Sequence, residues 1–370
     1  MDGAWRTRVR EFCDTELRPH ARKWARDGQV DRDLWRRAGK AGLLCPDVPI
    51  EYGGGGHGFE HEAVVVTEQA IAGDTAWGYT AHEVVAQYVL AYGTADQRSR
   101  WLPELATGEL VGAVAISEPG VGSDLGALRA RAVRDGDEYV LDATKTLITN
   151  GRQANLIAVL ALVDGTPSVL MADTRATELP RTGIDKIGRH GQDTAELSFA
   201  GYRIPVADVL GGQPGAGAAQ SATLVNRERL LIAVGAAATM EAAVEQSLRW
   251  AGRHRVFGRR LRRFQHTRFV LAECATEAAV TRSFVDDMVR RYTAGELSMA
   301  DAAMVKLWAT ERLTTVVDRC LQLYGGLGYT AGHPAAEAWA DARVTRIYGG
   351  TSEVMKEIVA ASLGGSEAKP

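Results

Sequence analysis

Strand-type periodicity occurs in this chain only between about residues 111 and 211, with helical patterning on both sides, and this change of period restricts the possible folds more than any other feature. Before it, residues 8–24 and 32–44 are charged and amphipathic, 62–72 carry Val64, Val65 and Val66, and 81–92 carry Val84, Val85, Tyr88 and Val89. Within it, residues 131–134 and 138–141 flank Asp135-Gly136, a hairpin signal, because such a pair accepts the positive φ that a tight turn between twisted strands requires. Residues 156–163 form an unbroken apolar run of buried-strand length, and 168–172 and 195–199 are shorter candidates. After Gly211-Gly212-Gln213-Pro214-Gly215-Ala216-Gly217 the strand signals vanish. The remainder holds long helical patterns broken near Gly258, near Gly295 and at Gly325-Gly326-Leu327-Gly328, with Val280, Phe284 and Met288 recurring every four residues as a core-facing stripe. The expectation is an α+β chain: an N-terminal α-helical domain over residues 1–110, a middle β-sheet domain over 111–213 and a C-terminal four-helix bundle over 214–370.

The 370 residues, 46% of them hydrophobic, suffice for two or three packed domains. Lys and Arg number 43 against 46 Asp and Glu, so no general excess of positive charge exists to neutralise a phosphodiester backbone, and no nucleic-acid partner is expected. Arginine is concentrated at Arg253, Arg255, Arg259, Arg260, Arg262, Arg263 and Arg268, which reads as a solvated helix face, a subunit contact or a seat for nucleotide phosphates. Cys13, Cys45, Cys274 and Cys320 are widely spaced, without a CxxC pair, which argues against a zinc knuckle or a dithiol motif. His57 and His61 with Glu62 have a spacing a metal could use, but a third ligand is not evident and glycines flank His57, so they read as surface histidines and no metal is expected. The glycine run 53–56 has no strand before it and no Lys-Ser/Thr after it, and reads as an interhelical turn. The first residues lack a basic-then-apolar leader, and no apolar run approaches the ~18 residues of a membrane span, so the expected setting is cytoplasmic, away from a membrane.

No Gly-x-Gly-x-x-Gly follows a strand, and no Gly-x-x-x-x-Gly-Lys-Ser/Thr, Gly-x-Ser-x-Gly or His-Glu-x-x-His occurs, which argues against Rossmann, P-loop, serine-elbow and zincin chemistry. The chemistry-bearing stretches are instead Ala115-Ile116-Ser117-Glu118-Pro119-Gly120-Val121-Gly122-Ser123-Asp124 and its echo Lys145-Thr146-Leu147-Ile148-Thr149-Asn150-Gly151. Pro119 pre-sets one torsion, Gly120 and Gly122 admit a bulky ligand close to the main chain, and Ser117, Ser123 and Thr149 offer hydroxyls without adding charge. Together they read as a site for a flat-ring cofactor.

Both stretches resemble the flavin-contacting loops of the acyl-CoA dehydrogenase family. So, in the family's order, do Arg255-Val256-Phe257-Gly258 with Phe264-Gln265, Gln322-Leu323-Tyr324-Gly325-Gly326, and Thr351-Ser352-Glu353. The resemblance covers nearly the whole chain and implies FAD as cofactor. It implies Ile116 and Ser117 at the ring edge, Ser123 at a phosphate or the substrate, and Ile148 and Thr149 at the N5 face. It places Phe257, Gln265, Gln322, Gly325, Gly326, Thr351 and Glu353 toward the adenine half, several of them reaching a neighbouring subunit's FAD in a homodimer or homotetramer. The implied reaction is α,β-desaturation of an acyl thioester, on coenzyme A or a carrier protein. A carboxylate removes the Cα proton while hydride passes from Cβ to flavin N5, and an electron-transfer flavoprotein or oxygen is the final acceptor.

Three positions depart from the family pattern. An Arg three residues before the Phe of the Phe-Gly pair is His254 here, between Arg253 and Arg255, and an aromatic residue two before the flavin-contacting Thr is Leu147. Where many members carry the catalytic Glu before Gly-Thr, this chain reads Ile347-Tyr348-Gly349-Gly350-Thr351, and Gly349 has no side chain to accept a proton. In the isovaleryl and long-chain branches that Glu comes from the start of the bundle's first helix, immediately before an Arg, and Asn226-Arg227-Glu228-Arg229-Leu230-Leu231-Ile232-Ala233 is similar to that branch. The resemblance thus implies Glu228 as the base, with apolar Leu231 and Ile232 raising its basicity and Arg229 opposing them. Read from the residues alone, Glu228 is equally a solvated first-turn Glu favoured by the helix dipole.

Ser123, Arg229, Tyr348 and Gly349 fall on the substrate side, Gly349 through its N–H, so Gly349→Ala is expected to be tolerated far better than Gly349→Pro. Gly349 alone would fit a flavin monooxygenase on the same fold, for which Glu228 is not expected, or a non-catalytic flavin binder, which should resist reduction by every thioester. The helix around His82, Glu83 and Val85 is expected to line the acyl pocket, with Glu83 turned to solvent.

Overall fold

In the computed structural model, which describes residues 3–364, the first third is helical: α1 (Gly3–Phe12), α2 (Ala21–Asp27), α3 (Asp33–Lys40), α4 (Phe59–Ala72), α5 (Tyr79–Tyr92) and α6 (Ala95–Thr107). Residues 8–24, expected as one helix, are interrupted by a π-turn, Cys13–Leu17, and a 3-10 turn, Arg18–His20, where Pro19 lacks the N–H that would continue the ladder. The glycine run forms the turn between Ile50–Tyr52 and α4, as expected.

The strands are β1 (Gly112–Ala115), β2 (Arg131–Asp135), β3 (Glu138–Thr149), β4 (Leu156–Val163), β5 (Thr166–Asp173), β6 (Arg181–Gly183) and β7 (Thr194–Pro205). They form one seven-stranded sheet in the order β1-β4-β2-β3-β7-β6, with β5 antiparallel to β4. The expected hairpin joins β2 to β3, with Asp135 opposite Glu138 and Gly136 at φ +63°. Neighbouring side chains on a strand face opposite ways, and β4 is apolar throughout because both of its faces are buried. Leu156, Ala158 and Leu160 join a core shared with the helices, whereas Ile157, Val159, Ala161 and Val163 join the sheet's own core with Leu141, Leu197 and Phe199.

The last third begins with the 37-residue α7 (Gly217–Arg253). A hairpin of β8 (Arg255–Val256) and β9 (Arg259–Arg260) follows, then α8 (Gln265–Thr293), α9 (Met299–Gln322), α10 (Pro334–Arg343) and α11 (Ser352–Ser362). Helices α7, α8 and α9 pack on one another and α11 lies along α9, completing four helices around one core, with α10 beside them. The stripe on α8 differs from the expected one: Val280 is 52% exposed, while Thr267, Leu271, Cys274, Ala278, Thr281, Val285 and Met288 are buried. Buried positions alternate steps of four and three, because a strict step of four drifts around a helix with about 3.6 residues per turn. The core of the bundle is continuous with that of the first third, so Phe59, Val65 and Val85 share it with Leu230, Ala233 and Val316.

Candidate active site

The two glycine- and hydroxyl-bearing loops lie side by side, because the Thr146 N–H donates to Ser117 O at 2.9 Å. Segment 116–124 leaves the sheet where β1 ends, and β3 shifts register against β7 between Lys145 and Ile148, with Leu147 at φ +60° and Asn150 at φ +61°. A buried ion pair fastens them from below. Lys145 Nζ donates to Glu118 Oε1 at 2.8 Å and to Ile116 O at 2.9 Å, and the Glu118 carboxylate also accepts from the N–H groups of Arg129 at 2.8 Å and Ala130 at 2.9 Å. Asn150 Nδ2 ties the second loop to the head of α5, donating to Gly78 O at 2.9 Å, and to the start of β1, donating to Gly112 O at 3.0 Å.

Above this base the loops are open. Nothing lies within 4 Å of where a Cβ on Gly120 (φ +84°) or Gly122 would sit, and the hydroxyls of Ser117, Ser123 and Thr149 make no hydrogen bond to any described residue. Ile116, Ser117 and Thr149 are half-buried and Ser123 is exposed, whereas Ile148 turns its side chain into the sheet's core. Leu147 is 62% exposed. Uncharged free hydroxyls beside open glycines and an exposed aliphatic side chain suit a planar ring with polar edges, so the residues present fit a flavin.

Glu228 lies twelve residues into α7, about three turns from its start, beyond the reach of the helix-terminus field, so the reading of it as a dipole-favoured first-turn carboxylate does not hold. It is half-buried and makes no hydrogen bond or ion pair with any described residue. Burial pushes its carboxyl above the usual range, against the opposing pull of Arg229 and Lys306. A Cβ on Gly349 would stand 3.9 Å from Glu228 Oε1, so side chains rooted at 349 and at 228 converge on one spot.

Gly349 (φ +65°) and Gly350 (φ +94°) are clamped through their carbonyls, Gly349 O accepting from Arg229 Nε at 3.1 Å and Gly350 O from Lys306 Nζ at 2.6 Å. Their own N–H groups have no acceptor among the described residues. Tyr348 Oη accepts from Arg189 Nη2 at 3.2 Å, and the Arg189 guanidinium lies 5.5 Å from the centre of its ring. The expected tolerance of Gly349→Ala needs correcting. That Cβ would lie 2.6 Å from Ile232 Cδ1 at a left-handed φ, so Ala is strained there as well as Pro.

The residues expected near the adenine half lie on the outside of the bundle. Phe257 is 91% exposed at the tip of the β8–β9 hairpin, Gln265, Gln322, Gly325, Gly326 and Glu353 are exposed, and half-buried Thr351 caps α11 by accepting from the Val354 N–H at 3.3 Å. Beside them Arg255, Arg259, Arg260, Arg262, Arg263 and Arg268 line a basin of about 770 Å3, and none of the six has a carboxylate of a described residue within 4 Å. His254 is not among its lining residues. Its ring stacks on Trp250 at 4.4 Å between centroids and 14° between planes, while Arg255, its neighbour in the chain, lines the basin.

Sequence reasoning placed His82 and Glu83 on a pocket wall, but both are fully buried. His82 Nδ1 accepts from the Gly112 N–H at 3.2 Å and its Nε2 donates to Leu105 O at 3.2 Å, while both Glu83 oxygens accept from the Cys45 N–H at 3.0 and 3.1 Å. Cys45, His82 and Glu83 stand close enough to share a metal ion. Burial nevertheless raises the Cys45 thiol and the Glu83 carboxyl and holds His82 down to about 3, which disfavours the ionised thiol and carboxyl that a metal would need, and His82 and Glu83 are already engaged in hydrogen bonds. His57 and His61 stack at 4.2 Å beside Trp5.

Two features escaped the sequence reading. One is the pair Lys145–Glu118, and the other is Arg227, buried next to the candidate base, which donates to Asp47 Oδ2 at 2.6 Å and to Glu62 and lies 4.8 Å from the Phe59 ring centre. Neither stands out in the sequence, because Arg227 lies between Asn226 and Glu228 and Lys145 between Thr144 and Thr146, so only the fold shows that these charges are buried and what they meet.

Comparison with known proteins gives the family to which this fold belongs. Residues 2–109, 113–202 and 215–364 match the N-terminal, middle and C-terminal domains of acyl-CoA dehydrogenase. The long-chain specific acyl-CoA dehydrogenase of Rattus norvegicus is 36% identical over 97% of this chain and 85% of its own length, and the isovaleryl-CoA dehydrogenase of Solanum tuberosum is 33% identical over 96% and 88%. The crystal structure of an acyl-CoA dehydrogenase from Geobacillus kaustophilus superposes with a TM-score of 0.95 at 35% identity, covering 98% of both chains. The fold and the site define an oxidoreductase acting on CH–CH groups. This chain belongs to the acyl-CoA dehydrogenase family. No helix among the described residues is long and apolar enough to cross a membrane.

Proposed function

We propose that the protein is an FAD-dependent acyl-CoA dehydrogenase of the isovaleryl and long-chain type, with Glu228 as its base. The observation that carries this reading is the unpartnered Glu228 carboxylate, directed to the place that a side chain on Gly349 would reach. Bound FAD supplies the acceptor for the hydride that leaves Cβ. Ser117, Ser123 and Thr149 would hold its polar edges and Ile116 and Leu147 would lie beside the ring, while Ile148, buried in the sheet's core, supports the loop from beneath rather than meeting the ring. Glu228 takes the Cα proton, and the pair of electrons left behind becomes the second bond between Cα and Cβ. The Gly349 N–H donates to the thioester oxygen as negative charge gathers there, and a donor already in place at that moment is worth more than one that must reorganise. Tyr348 and Arg229 close the substrate side.

The exposed group Phe257, Gln265, Gln322, Gly325, Gly326, Thr351 and Glu353, with the arginine basin, is assigned to the adenine half of FAD on a second subunit, in a homodimer or homotetramer. The reading places the unit boundaries near residues 110 and 213, the protein in the cytoplasm, and an electron-transfer flavoprotein as acceptor. Anaerobic stopped-flow mixing with a panel of acyl thioesters, on coenzyme A and on carrier protein, tests it. Wild type should lose its yellow absorbance with a subset of the panel, and Glu228→Gln should keep FAD but bleach about a thousandfold more slowly. Normal bleaching in the variant would remove Glu228 from the reaction.

A further inference from the structure

Lys306 is fully buried in α9 and has no carboxylate of a described residue within 4 Å. Its hydrogen bond runs to a peptide carbonyl, Gly350 O, at 2.6 Å. Burying an ammonium group without a counter-ion is costly, and the cost is tolerated where the charge acts on something nearby. Here the neighbouring loop is the one that most needs holding. Two successive glycines have no side chains to limit their torsions, and both stand at positive φ.

A peptide unit is planar, so fixing its C=O fixes the N–H that follows. Arg229 on Gly349 O therefore sets the direction of the Gly350 N–H, and Lys306 on Gly350 O sets the next plane. One turn further along α9, Glu311 accepts from Arg346 Nε at 2.8 Å and from Ser352 Oγ at 2.7 Å, holding the same loop at both flanks. The N–H groups of Gly349 and Gly350 have no acceptor among the described residues, on a loop where a Cβ built on Gly349 would stand 3.9 Å from Glu228 Oε1.

We infer that Lys306 is a positioning residue, which locks the Gly349–Gly350 loop so that its free N–H groups meet the oxyanion formed when the Cα proton leaves. It touches neither substrate nor cofactor in this arrangement and acts through the loop. The inference rests on the acyl-thioester reading above.

The test compares two ligands on the FAD-loaded enzyme, each followed by its perturbation of the flavin spectrum. One is a 3-ketoacyl-CoA, acidic at C2 and bound as its enolate. The other is the 2-enoyl-CoA of the same chain length, which stays neutral. Lys306→Met should weaken the 3-ketoacyl ligand by about tenfold to a hundredfold and the enoyl ligand by less than about threefold, because only the first carries the charge that preset donors stabilise. Equal weakening of both ligands, or none, overturns the assignment. If Lys306→Met does not melt cooperatively, Lys306→Gln carries the same comparison, with the same selective loss expected. A wild-type enzyme that binds neither thioester sinks the acyl-thioester reading itself, whereas wild-type binding of both with an unchanged variant sinks only the role of Lys306.

Discussion

Glu118 and Glu228 are two carboxylates withdrawn from water in one molecule, and they end on opposite sides of their ordinary acidity. Burial pushes Glu118 up, but the bond from Lys145 and the N–H groups of Ala130 and Arg129 outweigh it and leave the carboxyl below its usual range. Burial pushes Glu228 up as well, and no hydrogen bond answers it. A saturated carboxylate is a fastener, and an unsaturated one keeps its lone pairs for a proton brought by something else.

Breaking the saturated side should have the largest effect on stability. Lys145→Met strands Glu118 without its cation and should cost about 3–5 kcal/mol in thermal or denaturant unfolding, while Lys145→Met with Glu118→Leu should recover most of it. Gly349→Ala should cost about 1–2 kcal/mol, because its side chain enters a left-handed backbone against Ile232, and the loss should show in melting even without ligand. A smaller effect of opposite sign is expected from Glu228→Gln. A carboxyl whose folded pKa is raised holds its proton more tightly when folded, so its contribution falls away as pH rises through that window. The variant should therefore melt above wild type at neutral pH, with the gap closing as pH drops toward the ordinary carboxylate range. Over the same window wild-type flavin reduction should rise with pH, since only ionised Glu228 accepts a proton, and a flat profile would separate the residue from the rate.

Local patterns were legible wherever one segment carried its own instruction. The run of β4 announced burial on both faces, Asp135-Gly136 announced the hairpin, and the glycines and hydroxyls of residues 116–124 announced an open loop. Quantities that depend on distant partners were not legible. Nothing near Glu83 says that its oxygens face the Cys45 N–H, and nothing near Val280 says that the buried seam of α8 passes through Ala278 and Thr281 instead. For Glu228 the residue type and the helix could be read, but its distance from the helix start and its lack of partners required the fold.

The shared interior of the first and last thirds has a consequence for how the molecule comes apart. Segments more than a hundred positions apart in the chain depend on the same interdigitated side chains, so α5 and α9 should open in one concerted event, with similar hydrogen-exchange protection. The sheet has an interior of its own as well, but one face of β4 belongs to the shared one, so the sheet's far face can breathe first, and a ligand bridging sheet and helices would act as a rivet between them.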